Sequence, residues 1–150
     1  MRKNKVDIIT LGCSKNLVDS EQLMRQFAVN GYKVEHDPHK INGEIVVVNT
    51  CGFIGDAQEE SIEMILELGQ AKKQGKIGKL FVMGCLSERF LHDLEQELPE
   101  VDRFYGKFNW KELISDLGKA YHQELAYDRI LTTPKHYAYL KIGEGCNRTC

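Results

Sequence analysis

The sequence predicts an α/β protein with a doubly wound, mostly parallel sheet that is flanked by helices and built from βαβ units. Two observations predict this class. Short β-branched apolar runs alternate with longer stretches whose apolar residues recur at helical spacing, and glycine or proline separates the two kinds of segment. Strands that alternate with helices of this length are typical of βαβ units, in which consecutive strands run parallel.

The predicted strands are short. The first ends in a glycine, and the third is a run of β-branched residues, so both are interpreted as buried strands. A loop that contains Pro38 and Gly43 separates the second strand from the third. The five strands are predicted at 6–11, 32–35, 45–48, 80–83 and 101–105.

Four helices are predicted, three between strands and one after the fifth strand. Gly31 is expected to cap the end of the first helix, and Pro99 to stop the third. Ser87 and Asn109 are expected to cap the starts of the third and fourth helices. The helices are predicted at 17–30, 56–74, 87–97 and 109–121.

Beyond the last helix the periodicity fades. Residues 123–135, which include Pro134, are predicted to form a linker, and a new strand is predicted at 137–142. We therefore expect one domain over 1–122, a linker over 123–135 and the beginning of a second, truncated domain over 136–150.

Composition and charge exclude several function classes. The chain has 150 residues, of which 42% are hydrophobic and 28% charged, and its net charge is −2. These values are typical of a soluble globular protein, and no apolar run approaches the ~20 residues of a membrane span. The basic character of many nucleic-acid binders is missing, so nucleic acid is an unlikely partner for this domain. We expect a cytoplasmic protein without a membrane partner.

Three cysteines follow three predicted strands directly. Cys13, Cys51 and Cys85 are separated by 38 and 34 residues, the length of single βαβ units. Right-handed crossovers bring the carboxyl ends of such strands to one edge of the sheet, where ligands bind in open α/β folds. Each cysteine alone is commonly a small buried hydrophobic residue, but their shared position at strand ends predicts that they are neighbours.

Three neighbouring thiolates suit an iron–sulfur cluster. A structural zinc site takes four protein ligands, and the five histidines offer no convincing fourth. Three cysteines on a four-iron cluster would leave one iron open to an exogenous ligand. Glycines at 12, 52 and 84 would allow the backbone to approach a bulky cluster closely, although turn geometry alone also explains them.

Two further cysteines form a separate pair. Cys146 and Cys150 make a C-x3-C sequence after a predicted strand, which resembles the start of the radical S-adenosylmethionine (SAM) motif C-x3-C-x2-C. In that motif the third cysteine would come three residues after Cys150.

The cysteine-centred segments together resemble the N-terminal domain of the radical SAM methylthiotransferase family. The segments are LGCSKNLVDSE at 11–21, NTCGFI at 49–54 and GCL at 84–86. Within the family, Ser14-Lys15-Asn16 and the residues after Cys51 favour the branch that methylthiolates an aspartate of a small-subunit ribosomal protein. The alternative is the branch that modifies adenosine in tRNA.

The resemblance implies cofactors, partners and a mechanism. Cys146, Cys150 and a third cysteine would hold a 4Fe-4S cluster that reductively cleaves SAM to a 5′-deoxyadenosyl radical, with electrons from a flavodoxin- or ferredoxin-type donor. An auxiliary 4Fe-4S cluster on Cys13, Cys51 and Cys85 would deliver sulfur to the substrate.

Polar residues close to these cysteines have two interpretations. Asn16, Asp19 and Ser20 match the family motif near the auxiliary cluster, but helix capping and first-turn charge explain them equally well. Asn49 and Thr50 are candidates for hydrogen bonds to cluster sulfur, or are simple turn residues.

Two interpretations that assign the protein to other functional classes remain open at this point. A flavodoxin-like binding module with unrelated cysteines would be colourless and would need no iron. A thiol redox protein would be expected to carry a C-x-x-C motif, which this sequence lacks.

Overall fold

The fold is described from a computed structural model, in which residues 1–52, 55–107 and 109–143 are described. Strands and helices alternate along the first 116 residues, except that a loop and no helix joins β2 to β3. The strands are β1 (Arg2–Thr10), β2 (Lys33–His36), β3 (Gly43–Thr50), β4 (Lys79–Gly84) and β5 (Arg103–Phe104). The helices are α1 (Ser14–Val29), α2 (Gly55–Lys73), α3 (Cys85–Glu97) and α4 (Trp110–Asp116).

The five strands form one sheet in the order β2-β1-β3-β4-β5, and every pair is parallel. The predicted α/β class with a parallel sheet flanked by helices is confirmed. The chain winds outwards from β1 to β2, then crosses back to place β3 on the other side of β1. The point at which winding reverses, between β1 and β3, is where such sheets open a crevice at their carboxyl edge.

Helices cover both faces of the sheet. On β3, Val46 and Val48 pack into a core that contains residues of α2 and α3. Ile45 and Val47 point to the opposite core, which contains residues of α1 and α4. All four side chains are at least 97% buried, because a parallel sheet covered on both faces has no solvent side.

Three local predictions were wrong. The third helix begins at Cys85, with Gly84 as its N-cap, so Ser87 lies inside the first turn instead of capping it. The last helix ends at Asp116 and not near residue 121, because Gly118 adopts a φ of +67° and donates its N–H to the carbonyl of Ser115. Residues 137–142 form no strand within the described part of the chain.

The segment from residue 120 to residue 141 lies against α1, and we call it the strap. It contains a single 3-10 turn at Gln123–Leu125 and otherwise has an irregular backbone. It includes the predicted linker, and hydrogen bonds tie it to α1 at several points. Within the described ranges, no helix has both the length and the apolar character required to cross a membrane.

Candidate functional site

The three strand-end cysteines lie after three adjacent strands. Cys13 is the N-cap residue of α1, three residues after β1 ends. Cys51 directly follows β3, and Cys85 directly follows β4 as the first residue of α3. Since β1, β3 and β4 are consecutive and parallel in the sheet, all three cysteines occupy its carboxyl edge.

The turns that carry these cysteines touch each other. Gly12 has a φ of +96°, and a Cβ built on it would lie 2.5 Å from the Cβ and 3.0 Å from the Sγ of Cys51. A Cβ built on Gly52 would lie 2.7 Å from the Cα of Leu86 and 3.1 Å from the carbonyl carbon of Cys85. The first turn therefore contacts the second and the second contacts the third, at distances that only glycine permits.

Asn16 joins the first turn to the second. Its side chain is fully buried, and its Nδ2 donates to the carbonyls of Leu11 at 2.9 Å and Thr50 at 3.0 Å. These carbonyls belong to the residues just before Gly12 and Cys51. The sequence placed Asn16 near the cysteines, and its hydrogen bonds there are to the backbone of two strand ends.

Asn49 and Thr50 extend this buried network. Asn49 donates from Nδ2 to the carbonyl of Asn16 at 2.9 Å and to Oγ of Ser20 at 3.0 Å. The hydroxyl of Thr50 donates to the carbonyl of Met83 at 2.7 Å, which links the ends of β3 and β4. The network fixes the relative positions of the three strand ends before any ligand binds.

Two residues of α2 hold the second turn and were not identified from the sequence. The Ser61 hydroxyl, which is fully buried, lies 3.1 Å from the carbonyl of Cys51 and also donates to Ala57. Gln58 donates from Nε2 to the carbonyl of Gly52 at 2.8 Å. A signal was present for Ser61, because it stands four residues before Ile65 and seven before Leu68, on the buried stripe of α2.

Helix termini make the edge favourable for negative charge. Cys13 caps the start of α1 and Cys85 opens α3, so both thiols lie at helix N-termini, where unpaired N–H groups point outwards. Cys13 is exposed, whereas Cys51 and Cys85 are half-buried, and all three are free thiols. An anionic ligand is stabilised in such surroundings.

The donor set fits an iron–sulfur cluster better than a single metal ion. Among the described residues, no group of three His, Cys, Asp or Glu side chains is arranged to hold one ion. In a cluster, separate irons are bound by separate thiolates, so the cysteines stand further apart than the ligands of one ion. Cys13, Cys51 and Cys85 are three free thiols on turns that touch each other, which is the donor set that a cluster takes.

A model of the family described as "Uncharacterized protein family UPF0004" matches residues 5–106. The chain belongs to this family. The match includes the whole parallel sheet from Lys5 onwards and all three strand-end cysteines.

The curated relatives match over the full chain. "Ribosomal protein uS12 methylthiotransferase RimO" of Parabacteroides distasonis is 89% identical over 150 residues. Proteins of the same name from Porphyromonas gingivalis and Flavobacterium johnsoniae are 71% and 52% identical. All of this chain is covered in each comparison, but it spans only 35% of each relative. The resemblance of this UPF0004 chain to the N-terminal part of methylthiotransferases is confirmed.

The remaining candidate residues are placed differently. Cys146 and Cys150 lie outside the described residues. Asp19 forms an ion pair with Lys141 of the strap, at 2.7 Å between Oδ1 and Nζ. A cavity of about 520 Å³ lies beside this pair, between α1, α4 and the strap, and the strand-end cysteines do not line it.

Proposed function

We propose that this chain is the cluster-bearing N-terminal part of a radical SAM methylthiotransferase that modifies an aspartate side chain of ribosomal protein uS12. The relatives that carry this name support the reaction and the substrate. The observation that carries the proposal is the contact between the turns of Cys13, Cys51 and Cys85 at the carboxyl edge. That edge provides three thiols and no fourth cysteine in the described residues.

The residues of this chain would act by holding and orienting an auxiliary 4Fe-4S cluster. Cys13, Cys51 and Cys85 would bind three irons, and such a cluster, when bound, supplies sulfur for transfer from its open side. Asn16 and Thr50 keep the strand ends at fixed separation, so the three thiols lose little freedom when they bind. The N-termini of α1 and α3 would favour an anionic cluster at this edge.

The other parts of the enzyme follow from the same proposal. Cys146 and Cys150, with a third cysteine further along the longer protein, would bind the second 4Fe-4S cluster at which SAM is cleaved. We place the boundary between the two parts in the predicted linker at 123–135. The partners would be the ribosomal protein and a flavodoxin- or ferredoxin-type electron donor, and the protein would act in the cytoplasm.

Anaerobic reconstitution with iron and sulfide tests the auxiliary site. The chain should acquire one four-iron cluster, seen in its absorbance and in its electron paramagnetic resonance spectrum after reduction. Cys13→Ala, Cys51→Ala and Cys85→Ala should each remove most of the cluster absorbance. The matched control is the double variant Cys146→Ala/Cys150→Ala, which removes two thiols elsewhere and should keep the cluster nearly intact.

The reverse pattern would refute the auxiliary site. If the double variant loses the cluster while the three strand-end variants keep it, the metal is bound by the C-x3-C pair. A protein that acquires no iron chromophore on reconstitution, but binds added flavin at the same edge, would instead support a flavodoxin-like module, since its strand order is the same. Incubation of the longer protein with uS12 or with tRNA, followed by mass spectrometry, decides between the two substrate branches.

A further inference from the structure

The strap is held by polar side chains of α1 that are almost completely buried. Asp19, Glu21 and Gln26 are each only 2% exposed. Acidic residues are rarely buried to this degree unless they are paired. On α1 each of these three side chains has its partner in the strap, at least 96 residues away in sequence.

Glu21 has the densest set of contacts. Its Oε1 accepts hydrogen bonds from the backbone N–H and the hydroxyl of Thr132, both at 2.8 Å. Its Oε2 lies 3.3 Å from the guanidinium of Arg129, and its backbone carbonyl accepts from the N–H of Ile130 at 3.1 Å. One residue of α1 therefore binds three residues of the strap through both its side chain and its backbone.

Gln26 binds the beginning of the strap in the manner of a short strand pair. Its Nε2 donates to the carbonyl of His122, and its Oε1 accepts from the N–H of the same residue, both at 2.9 Å. Asp19 binds the other end of the strap through its ion pair with Lys141. The strap residues that these three side chains bind are spread from residue 122 to residue 141.

We infer that α1 is a positioning element, with Glu21 as its central anchor, which docks the strap as one cooperative unit. The same helix has Cys13 as its N-cap, so it connects the three-cysteine edge to the chain that runs towards Cys146 and Cys150. The polypeptide reaches residue 143 from a fixed point on this domain, and the segment is not a free linker. The inference concerns docking alone and holds whether or not the cysteine edge binds a cluster.

Hydrogen exchange of the whole chain tests cooperative docking. In Glu21→Ala, the N–H groups of His122 and Ile130 keep their own acceptors, Gln26 and the backbone carbonyl of residue 21. If the strap docks as a unit, both should nevertheless exchange about tenfold faster or more, because the loss of a buried charged anchor releases the entire segment. The N–H groups of Val47 and Val48 should stay unchanged, which shows that the sheet is intact.

The chain has a single tryptophan that provides a second measurement. Trp110 lines the cavity beside the strap together with Tyr121 and Tyr127. Release of the strap should expose Trp110 and shift its fluorescence emission to longer wavelength. Glu21→Gln keeps an acceptor oxygen for Thr132 and loses only the charge opposite Arg129, so it should retain most of the protection and most of the emission.

Arg25→Gln is the matched control, since Arg25 joins the same helix to Asp128 of the strap through an exposed ion pair. This variant should change the exchange rates of the strap N–H groups less than about twofold, because exposed ion pairs contribute little to stability. If Glu21→Ala fails to fold, Gln26→Ala serves instead, with the N–H groups of Ile130 and Thr132 as reporters. The inference is overturned if distant strap N–H groups exchange as in the unmodified chain, or if the unmodified strap exchanges like an unfolded peptide.

Discussion

Gly12 rests directly against Cys51, because a Cβ at position 12 would lie 2.5 Å from the Cβ of that cysteine. The residue before the first strand-end cysteine thus contacts the second cysteine itself. Since real Cβ atoms do not approach so closely, the geometry of this edge depends on the missing side chain at position 12. Contacts of this kind bring the turns of the three strand-end cysteines together at one edge of the sheet.

Gly12→Ala should destabilise the fold by about 2 kcal/mol or more, because it adds both a strained φ and an overlap with Cys51. Gly31→Ala is the control: its φ is +86°, but nothing lies within 4 Å of the added Cβ. The control should cost about 1 kcal/mol. Urea unfolding of both variants measures the difference. Equal losses of unfolding free energy would show that the contact between position 12 and Cys51 does not add to the cost.

Asn16→Ala should cost about 2–3 kcal/mol, because the carbonyls of Leu11 and Thr50 lose a buried donor. Asn30 at the other end of α1 also donates to two carbonyls, those of Gln26 and Ala120, but near the surface. Asn30→Ala should therefore cost under about 1 kcal/mol. The thiol of Cys51 should also react faster with a thiol reagent in Asn16→Ala. An unchanged rate would show that Asn16 does not hold the two turns together.

Glu35 should make the free energy of unfolding depend on pH in the acidic range. The hydrogen bond from Lys5 lowers the pKa of this carboxyl below its usual value of 4.5. The folded state therefore favours the charged form, and this stabilisation is complete above pH 4.5 and is lost as the pH falls through the lowered pKa. Glu35→Gln should flatten the loss of stability in that acidic range, measured by urea unfolding at stepped pH.

Glu67→Gln makes the same change of charge on the exposed face of α2 and should leave the acidic slope as it is. If Glu35→Gln and Glu67→Gln reduce the pH dependence of the unfolding free energy equally, the cause is net charge and not the hydrogen bond to Lys5.

Tyr105→Phe should cost about 1 kcal/mol, since the buried phenol donates to Oδ2 of Asp116 at 2.7 Å. Burial, with that carboxylate as a second cause, raises the pKa of Tyr105 far above the ordinary value of a phenol. The alkaline ultraviolet titrations of the two proteins should consequently superimpose while both are folded. A smaller phenolate signal in Tyr105→Phe, before unfolding, would contradict this.

The sheet was predictable because its signal is local. β3 and β4 are nearly continuous apolar runs, and their burial on both faces makes such runs unambiguous. The placement of Cys13, Cys51 and Cys85 at one edge followed from the parallel order alone. The predicted limits of the last helix failed because the sequence could not show that Gly118 would adopt a positive φ.

The strap could not be predicted from the sequence. Its bonds to Asp19, Glu21 and Gln26 join residues 96 to 122 positions apart, and polar contacts leave no periodic pattern. Asp19 matched the family motif at the cysteine edge, yet it binds Lys141.

The strand order also constrains how the protein matures during synthesis. β3 lies between β1 and β4, so the turn of Cys51 has both of its neighbours only after residue 85 has been made and β4 has paired. Each parallel pairing must first close a long loop, which makes such sheets slow to assemble. A nascent chain that ends before β4 offers two thiols and no completed edge. The proposed cluster would therefore be bound by all three cysteines only after the sheet has assembled through β4.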